Sequence, residues 1–166
     1  MFPTYSPVTG GANITITGAN FNYTSRPVRC QFGPSLLEAA KAFHPDNETV
    51  ICTAPAGELP VSVGVTFDDG NTFAMISTAL SFFAISAVLP SKGPMAGGSL
   101  VTVIGAGFTP HPSAKCVFGT REYTATVLST VRATCVSPYF SAPTPTTVEI
   151  SIMGSSTMAN LTFTPY

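Results

Sequence analysis

The residues of this 166-residue chain that could do chemistry are four cysteines, four Asn-x-Thr triplets, two histidines and one aspartate pair. Thiols can oxidise to disulfides, hold zinc or act as nucleophiles. Cys30, Cys52, Cys116 and Cys135 contain no Cys-x-x-Cys pair, and His44 and His111 lie far apart, so zinc ligation is disfavoured. Four cysteines allow three pairings. Asn13, Asn22, Asn47 and Asn160 each open an Asn-x-Thr triplet, the acceptor signal for N-linked glycans in a secreted chain. His44 and His111 both precede proline and read as polar loop residues. Asp68-Asp69 beside Gly70 reads as a solvated hairpin turn rather than a calcium site, because one adjacent pair supplies too few oxygens. No serine or cysteine sits in a nucleophile elbow, and no carboxylates converge by spacing. Gly-Ala-Gly at 105–107 ends a strand instead of opening a phosphate-binding helix. The expectation is therefore a non-catalytic protein with no cofactor and no metal.

Composition narrows the partner classes. Charged residues make up 9 % of the chain, against roughly 25 % in an average soluble protein, and net charge is −1. No basic field exists to hold a nucleic-acid backbone. The most apolar stretch, STALSFFAISAVL at 77–89, is thirteen residues long, below the ~18 needed to span a bilayer as a helix. Apolar residues make up 45 %, which is inconsistent with disorder. Ser, Thr, Gly and Pro dominate the remainder, a mix that favours strands joined by tight turns. No signal peptide is visible before the turn-like start at Met1-Phe2-Pro3, so the chain reads as a piece of a longer protein, with a complete cytosolic protein as the alternative.

The elements that must position these groups occur twice. Gly10, Gly11, Gly18 and Phe21 recur as Gly97, Gly98, Gly105 and Phe108 at an offset of 87. Cys30-Gln31-Phe32-Gly33 recurs as Cys116-Val117-Phe118-Gly119 at an offset of 86. Cys52-Thr53-Ala54-Pro55 recurs as Cys135-Val136-Ser137-Pro138 at 83, and Leu80-Ser81-Phe82 as Leu161-Thr162-Phe163 at 81. Four blocks in the same order define two modules, 1–84 and 85–166.

Each block alternates with period two, the signature of half-buried strands. Ile14 and Ile16, Cys30 and Phe32, and Val61, Val63 and Val65 share inward faces in the first module. Val101 and Val103, Cys116 and Phe118, and Val148, Ile150 and Ile152 do so in the second. Such strands, with no crossover helices, predict all-β architecture: two tandem antiparallel β-sandwiches. One interval departs. LLEAAKAF at 36–43 has helical spacing at Leu36, Ala40 and Phe43 and predicts one or two helical turns.

Duplication bears on the thiols. Each module should fold alone, so pairing within a module, Cys30 with Cys52 and Cys116 with Cys135, is favoured; four buried free thiols in a reducing compartment are the alternative. Asn13 and Asn160 fall on the outward phase of their strands, and Asn22 and Asn47 in loops, as glycan acceptors require.

The order Pro-x-x-Gly-Gly, alternating strand, Gly-x-Asn/Gly-Phe, Cys-x-Phe-Gly, Cys-x-x-Pro resembles the IPT/TIG module. The better copy is the second, from Pro90-Ser91-Lys92-Gly93-Pro94-Met95-Ala96-Gly97-Gly98 to Ile104-Gly105-Ala106-Gly107-Phe108. The first starts later, at Tyr5-Ser6-Pro7-Val8-Thr9-Gly10-Gly11, with its leading strand expected to be truncated. The resemblance implies an immunoglobulin-like sandwich of the early-set type. It also implies a cell-surface setting, since such modules stand in tandem in plexin and growth-factor-receptor ectodomains. The absence of Trp argues against an antibody-type domain.

The expected function is an extracellular binding or stalk segment of a cell-surface adhesion or receptor protein, with a protein partner on another cell or in the same ectodomain. Membrane attachment would come only from a segment outside this chain. The alternatives are an accessory carbohydrate-binding region of a secreted enzyme and, against the scarcity of Arg and Lys, a DNA-binding or dimerisation region of a nuclear protein. Contact residues are expected in two loops that differ between copies: Leu36, Leu37 and Phe43 in the first module, and exposed Tyr139 and Phe140 in PYFSAPTPTT at 138–147 in the second.

Overall fold

The computed structural model describes residues 1–19, 21, 28–34, 36–39, 42–43, 48–68 and 70–166, with backbone alone at 36–39 and 42–43. Asn22, His44, Asn47 and Asp69 lie outside the described residues. The regular elements among the described residues are strands, and the chain divides into two compact units, Met1–Phe82 and Phe83–Tyr166.

The first unit contains β1 (Tyr5–Pro7), β2 (Asn13–Thr17), β3 (Arg29–Phe32), β4 (Leu36–Ala39), β5 (Ala42–Phe43), β6 (Thr49–Thr53), β7 (Val61–Thr66) and residues 74–82 of β8 (Ala74–Leu89). One sheet runs β2-β6-β5; the other runs β4-β3-β7-β8, with β1 on β8. Period-two patterning decides which face turns inward. In β2, Ile14 and Ile16 are buried while Asn13 and Thr17 are exposed. In β6, Val50 and Cys52 are buried, opposite Ile16 and Ile14 in register. Cys30, Phe32, Val63, Val65, Leu80 and Phe82 close the same core from the other sheet. Each such side chain gains about 1.5–3 kcal/mol on burial.

The second unit holds residues 83–89 of β8, then β9 (Lys92–Gly93), β10 (Leu100–Ala106), β11 (Lys115–Phe118), β12 (Arg121–Thr124), β13 (Thr126–Ser129), β14 (Arg132–Val136), β15 (Thr146–Ile152), β16 (Ser155–Ser156) and β17 (Thr162–Pro165). Its sheets run β13-β14-β10-β8 and β12-β11-β15-β17-β9, with β16 on β15. The pairings are antiparallel except for the parallel pair β9 and β17. Val101, Val103, Phe108, Cys116, Phe118, Ile150, Ile152 and Phe163 form its buried centre.

One expectation is corrected. Residues 36–39 and 42–43 are strands rather than helical turns. β4 pairs with β3 from Phe32↔Leu36 to Arg29↔Ala39, which satisfies backbone groups that a two-turn helix would leave half unpaired. Gly33 at φ 68° makes the reversal possible. β1 is the counterpart of β9, and the isolated bridge Phe2↔Thr15 stands where Leu89↔Thr102 joins β8 to β10 in the second copy. The carbonyl of Thr4 accepts from Ser81 N at 2.9 Å, as Ser91 accepts from Thr164 N at 2.9 Å in the second copy.

Candidate functional site

The recurring motifs prove to be parts that touch one another. Cys30 of β3 is bonded to Cys52 of β6, and Cys116 of β11 to Cys135 of β14, each pair with Cα atoms 6.3 Å apart. In each unit the bond joins the two sheets. Closing loops of 22 and 19 residues contributes about 3 kcal/mol per bond in the chain-entropy account. Disulfides persist in oxidising, extracellular surroundings.

The Gly-Gly and Cys-x-x-Pro motifs meet as well. Gly10 N donates to Pro7 O at 2.8 Å, and Gly11 N to Ala54 O at 2.9 Å. Gly97 N donates to Pro94 O at 3.0 Å, and Gly98 N to Ser137 O at 2.9 Å. Gly97 has φ 77°, and a Cβ there would lie 2.5 Å from the Pro138 carbonyl oxygen. The turn thus needs glycine both for its backbone conformation and for its close approach to the segment behind the second cysteine.

That segment lines a cleft in the second unit. This cleft, of about 290 Å³, lies between the β11–β12 hairpin and the loop 138–146. Gly119 at φ 63° opens the hairpin's two-residue loop. Arg121, the first residue of β12, donates from Nη1 to the carbonyl of Tyr139 at 3.1 Å. The two aromatics expected to be exposed there part company. Tyr139 is 64 % exposed, but Phe140 is only 8 % exposed. The Phe140 ring stacks on Phe163 and meets Phe118 edge-on, with centroids 5.6 and 6.3 Å apart, and its N–H donates to Met95 O at 2.8 Å. Phe140 is therefore the anchor of the loop and Tyr139 its exposed side chain. Arg121 escaped the sequence reading. The available signal was its place two residues after the Cys-x-Phe-Gly block, next to a hairpin loop.

The first copy lacks this arrangement. Gly57 N donates to Val8 O at 2.9 Å, matching the Phe140–Met95 bond, so Ala56 and Gly57 occupy the places of Tyr139 and Phe140. Leu36 and Leu37 lie on β4 and Phe43 on β5, each strand at the edge of its sheet. The copies also differ on the outer face of the sheet that holds the second cysteine. Asn13 pairs with Thr53 in the first unit, whereas Leu100, 65 % exposed, pairs with Val136, 51 % exposed, at the same place in the second. Asn13 and Asn160 are both exposed.

His111 and Asp68 serve turns. The Nδ1 atom of His111 accepts Ser113 N–H at 3.1 Å and lies 2.6 Å from Ser113 Oγ, which in turn accepts Met153 N–H at 3.1 Å. Asp68 accepts from Thr72 Oγ1 at 2.7 Å, Thr72 N at 2.9 Å and Thr66 Oγ1 at 2.8 Å. These bonds, those of Thr72 foremost, hold its carboxyl at about 2, below the ordinary 3.8.

Comparison with known proteins agrees with this architecture. The model of the IPT/TIG domain matches residues 1–84 and again 83–165. Plexin-A3 of Mus musculus is 29 % identical over 111 residues, which cover 62 % of this chain and 6 % of that protein. Plexin A3 of Danio rerio is 28 % identical over 146 residues, covering 82 % of this chain and 8 % of that protein. The chain thus spans under a tenth of the length of these relatives. The structure of the plexin A4 full extracellular region superposes with a TM-score of 0.58 at 17 % identity, over 99 % of this chain and 15 % of that one. With the family's model matched across both halves, the chain belongs to the IPT/TIG domain family, as two immunoglobulin-like copies in tandem.

Proposed function

We propose that this chain is a non-catalytic binding or stalk segment of a cell-surface adhesion or receptor protein, and that its second module contacts a protein partner through the loop at Tyr139. The observation that carries the reading is the pairing of an exposed Tyr139 with an immobilised Phe140 beneath it. An exposed aromatic held on a rigid base supplies contact area at little entropic cost, the pattern of interface anchors. The plexin likeness supports a receptor ectodomain, and the two inter-sheet disulfides support an extracellular site.

Asn13, Asn22, Asn47 and Asn160 are proposed as glycan acceptors. Glycans would supply the solubility that a 9 % charged composition does not. On the outer face, Asn13 stands in the first copy where the second copy has Leu100.

The test uses the two-module protein secreted from eukaryotic cells and measures its binding to live cells by flow cytometry. Saturable binding that Tyr139→Ala removes, with unchanged unfolding midpoint, supports the reading. Binding that Tyr139→Ala leaves intact contradicts it.

A further inference from the structure

The cleft beside Tyr139 has a positive chemical bias. Its lining includes one cation, Arg121, and no carboxylate. Thr120, Ser141 and Thr144 add hydroxyl groups that can donate to an anion without repelling it. The bond from Arg121 to the Tyr139 carbonyl uses one of five guanidinium N–H donors and leaves the positive charge unneutralised, while fixing the group at the rim. Lys115, nearby in sequence, is already paired with Glu122.

Charge over the two copies points the same way. Residues 83–166 contain Lys92, Lys115, Arg121 and Arg132 against Glu122 and Glu149, a net +2. Residues 1–82 contain Arg26, Arg29 and Lys41 against Glu38, Asp46, Glu48, Glu58, Asp68 and Asp69, a net −3. Register comparison makes the point at residue level: Arg121 stands opposite Phe118 where the first copy has Leu36 opposite Phe32. The cation, the exposed tyrosine and the anion-tolerant lining all belong to one copy.

We propose that this cleft receives an acidic loop of a partner protein. One carboxylate of that loop meets the free edge of the Arg121 guanidinium, and an adjoining apolar side chain packs on Tyr139. Planar two-point pairing is what arginine offers a carboxylate over lysine, and Arg and Tyr are the residue types that dominate binding energy at interfaces. At about 290 Å³ the cleft suits one or two side chains rather than a folded element. This inference rests on the partner-binding reading of the Tyr139 loop and names the chemistry of what binds there.

The experiment titrates the intact two-module chain, isotopically labelled, with an N-acetylated, C-amidated Phe-Asp peptide and follows backbone amide shifts. Matched titrations use the Phe-Asn peptide and glucuronic acid. The expected result is saturable shifts at residues 119–121 and 139–144 with Phe-Asp, at least about tenfold weaker with Phe-Asn, a difference of about 1.4 kcal/mol. Arg121→Gln should erase the preference for Asp over Asn, and Arg121→Lys should restore only part of it. Equal responses to both peptides, no saturable response, or shifts confined to other residues overturn the proposal. Glucuronic acid binding as tightly as Phe-Asp overturns it in favour of an acidic saccharide. If Tyr139→Ala abolishes cell binding while Arg121→Gln preserves it and Phe-Asp does not bind, the acidic-loop proposal fails and the partner-binding reading stands.

Discussion

Phe140 stacks on Phe163 with the ring planes 20° from parallel, so the loop that carries the exposed Tyr139 is tied to the core of the second module by the very next residue. Adjacent aromatics thus have opposite duties, and substitution should separate them. Phe140→Ala is expected to cost about 3–5 kcal/mol, as for other buried phenylalanines. Tyr139→Ala should stay within about 0.5 kcal/mol of the parent. Denaturant unfolding of both variants checks this; equal losses would show that the side chains are not divided between core and surface.

The two glycines of the Gly97-Gly98 turn should also differ. Both have positive φ, but a Cβ at Gly98 meets nothing within 4 Å, whereas one at Gly97 runs into Pro138. Gly98→Ala should cost about 1–2 kcal/mol from backbone conformation alone. Gly97→Ala should cost distinctly more, read as a larger fall in unfolding midpoint.

The motif pattern made much of this fold legible. Gly10, Gly97, Cys52 and Cys135 recur because turn, close approach and inter-sheet bond each tolerate one residue type. The core followed from alternation: Ile14, Cys30, Val101 and Cys116 all turn inward as their phase requires. What stayed hidden lies where alternation gives no guidance. Residues 36–43 carry helical spacing, yet the pairings of β4 with β3 and of β5 with β6 decide the backbone at 36–39 and 42–43. Phe140 reads as exposed beside Tyr139, because its burial depends on Phe163 and Met95, far off in sequence. Arg121 gains meaning only through the carbonyl of Tyr139, eighteen residues on.

Both disulfides contribute to stability. Replacing Cys116 and Cys135 together with alanine should lower unfolding free energy by about 2–5 kcal/mol. Native protein secreted by eukaryotic cells should show no thiol reactive toward a soluble titrant until it is reduced. Reactive native thiols would contradict the oxidised, extracellular assignment.

Acid should act through Asp68. Its folded carboxyl titrates at about 2, below the ordinary 3.8, so the turn it holds stabilises the fold fully above pH ~4 and loses that support as pH falls through about 2. Asp68→Asn should flatten that portion of the stability profile, and carboxyl titration followed by NMR should place Asp68 at about 2. A titration near 3.8 would show that Thr66 and Thr72 do not hold the carboxylate.

The central claim is that the Tyr139 loop is where this extracellular segment meets a partner protein. A photo-crosslinking amino acid placed at position 139 of the full cell-surface protein, activated on intact cells, addresses it most directly. The account predicts a discrete protein adduct, formed from outside the cell and strongly reduced when Arg121→Gln is added. Efficient labelling of position 139 with no protein adduct, or an adduct formed only after the cells are permeabilised, would contradict it.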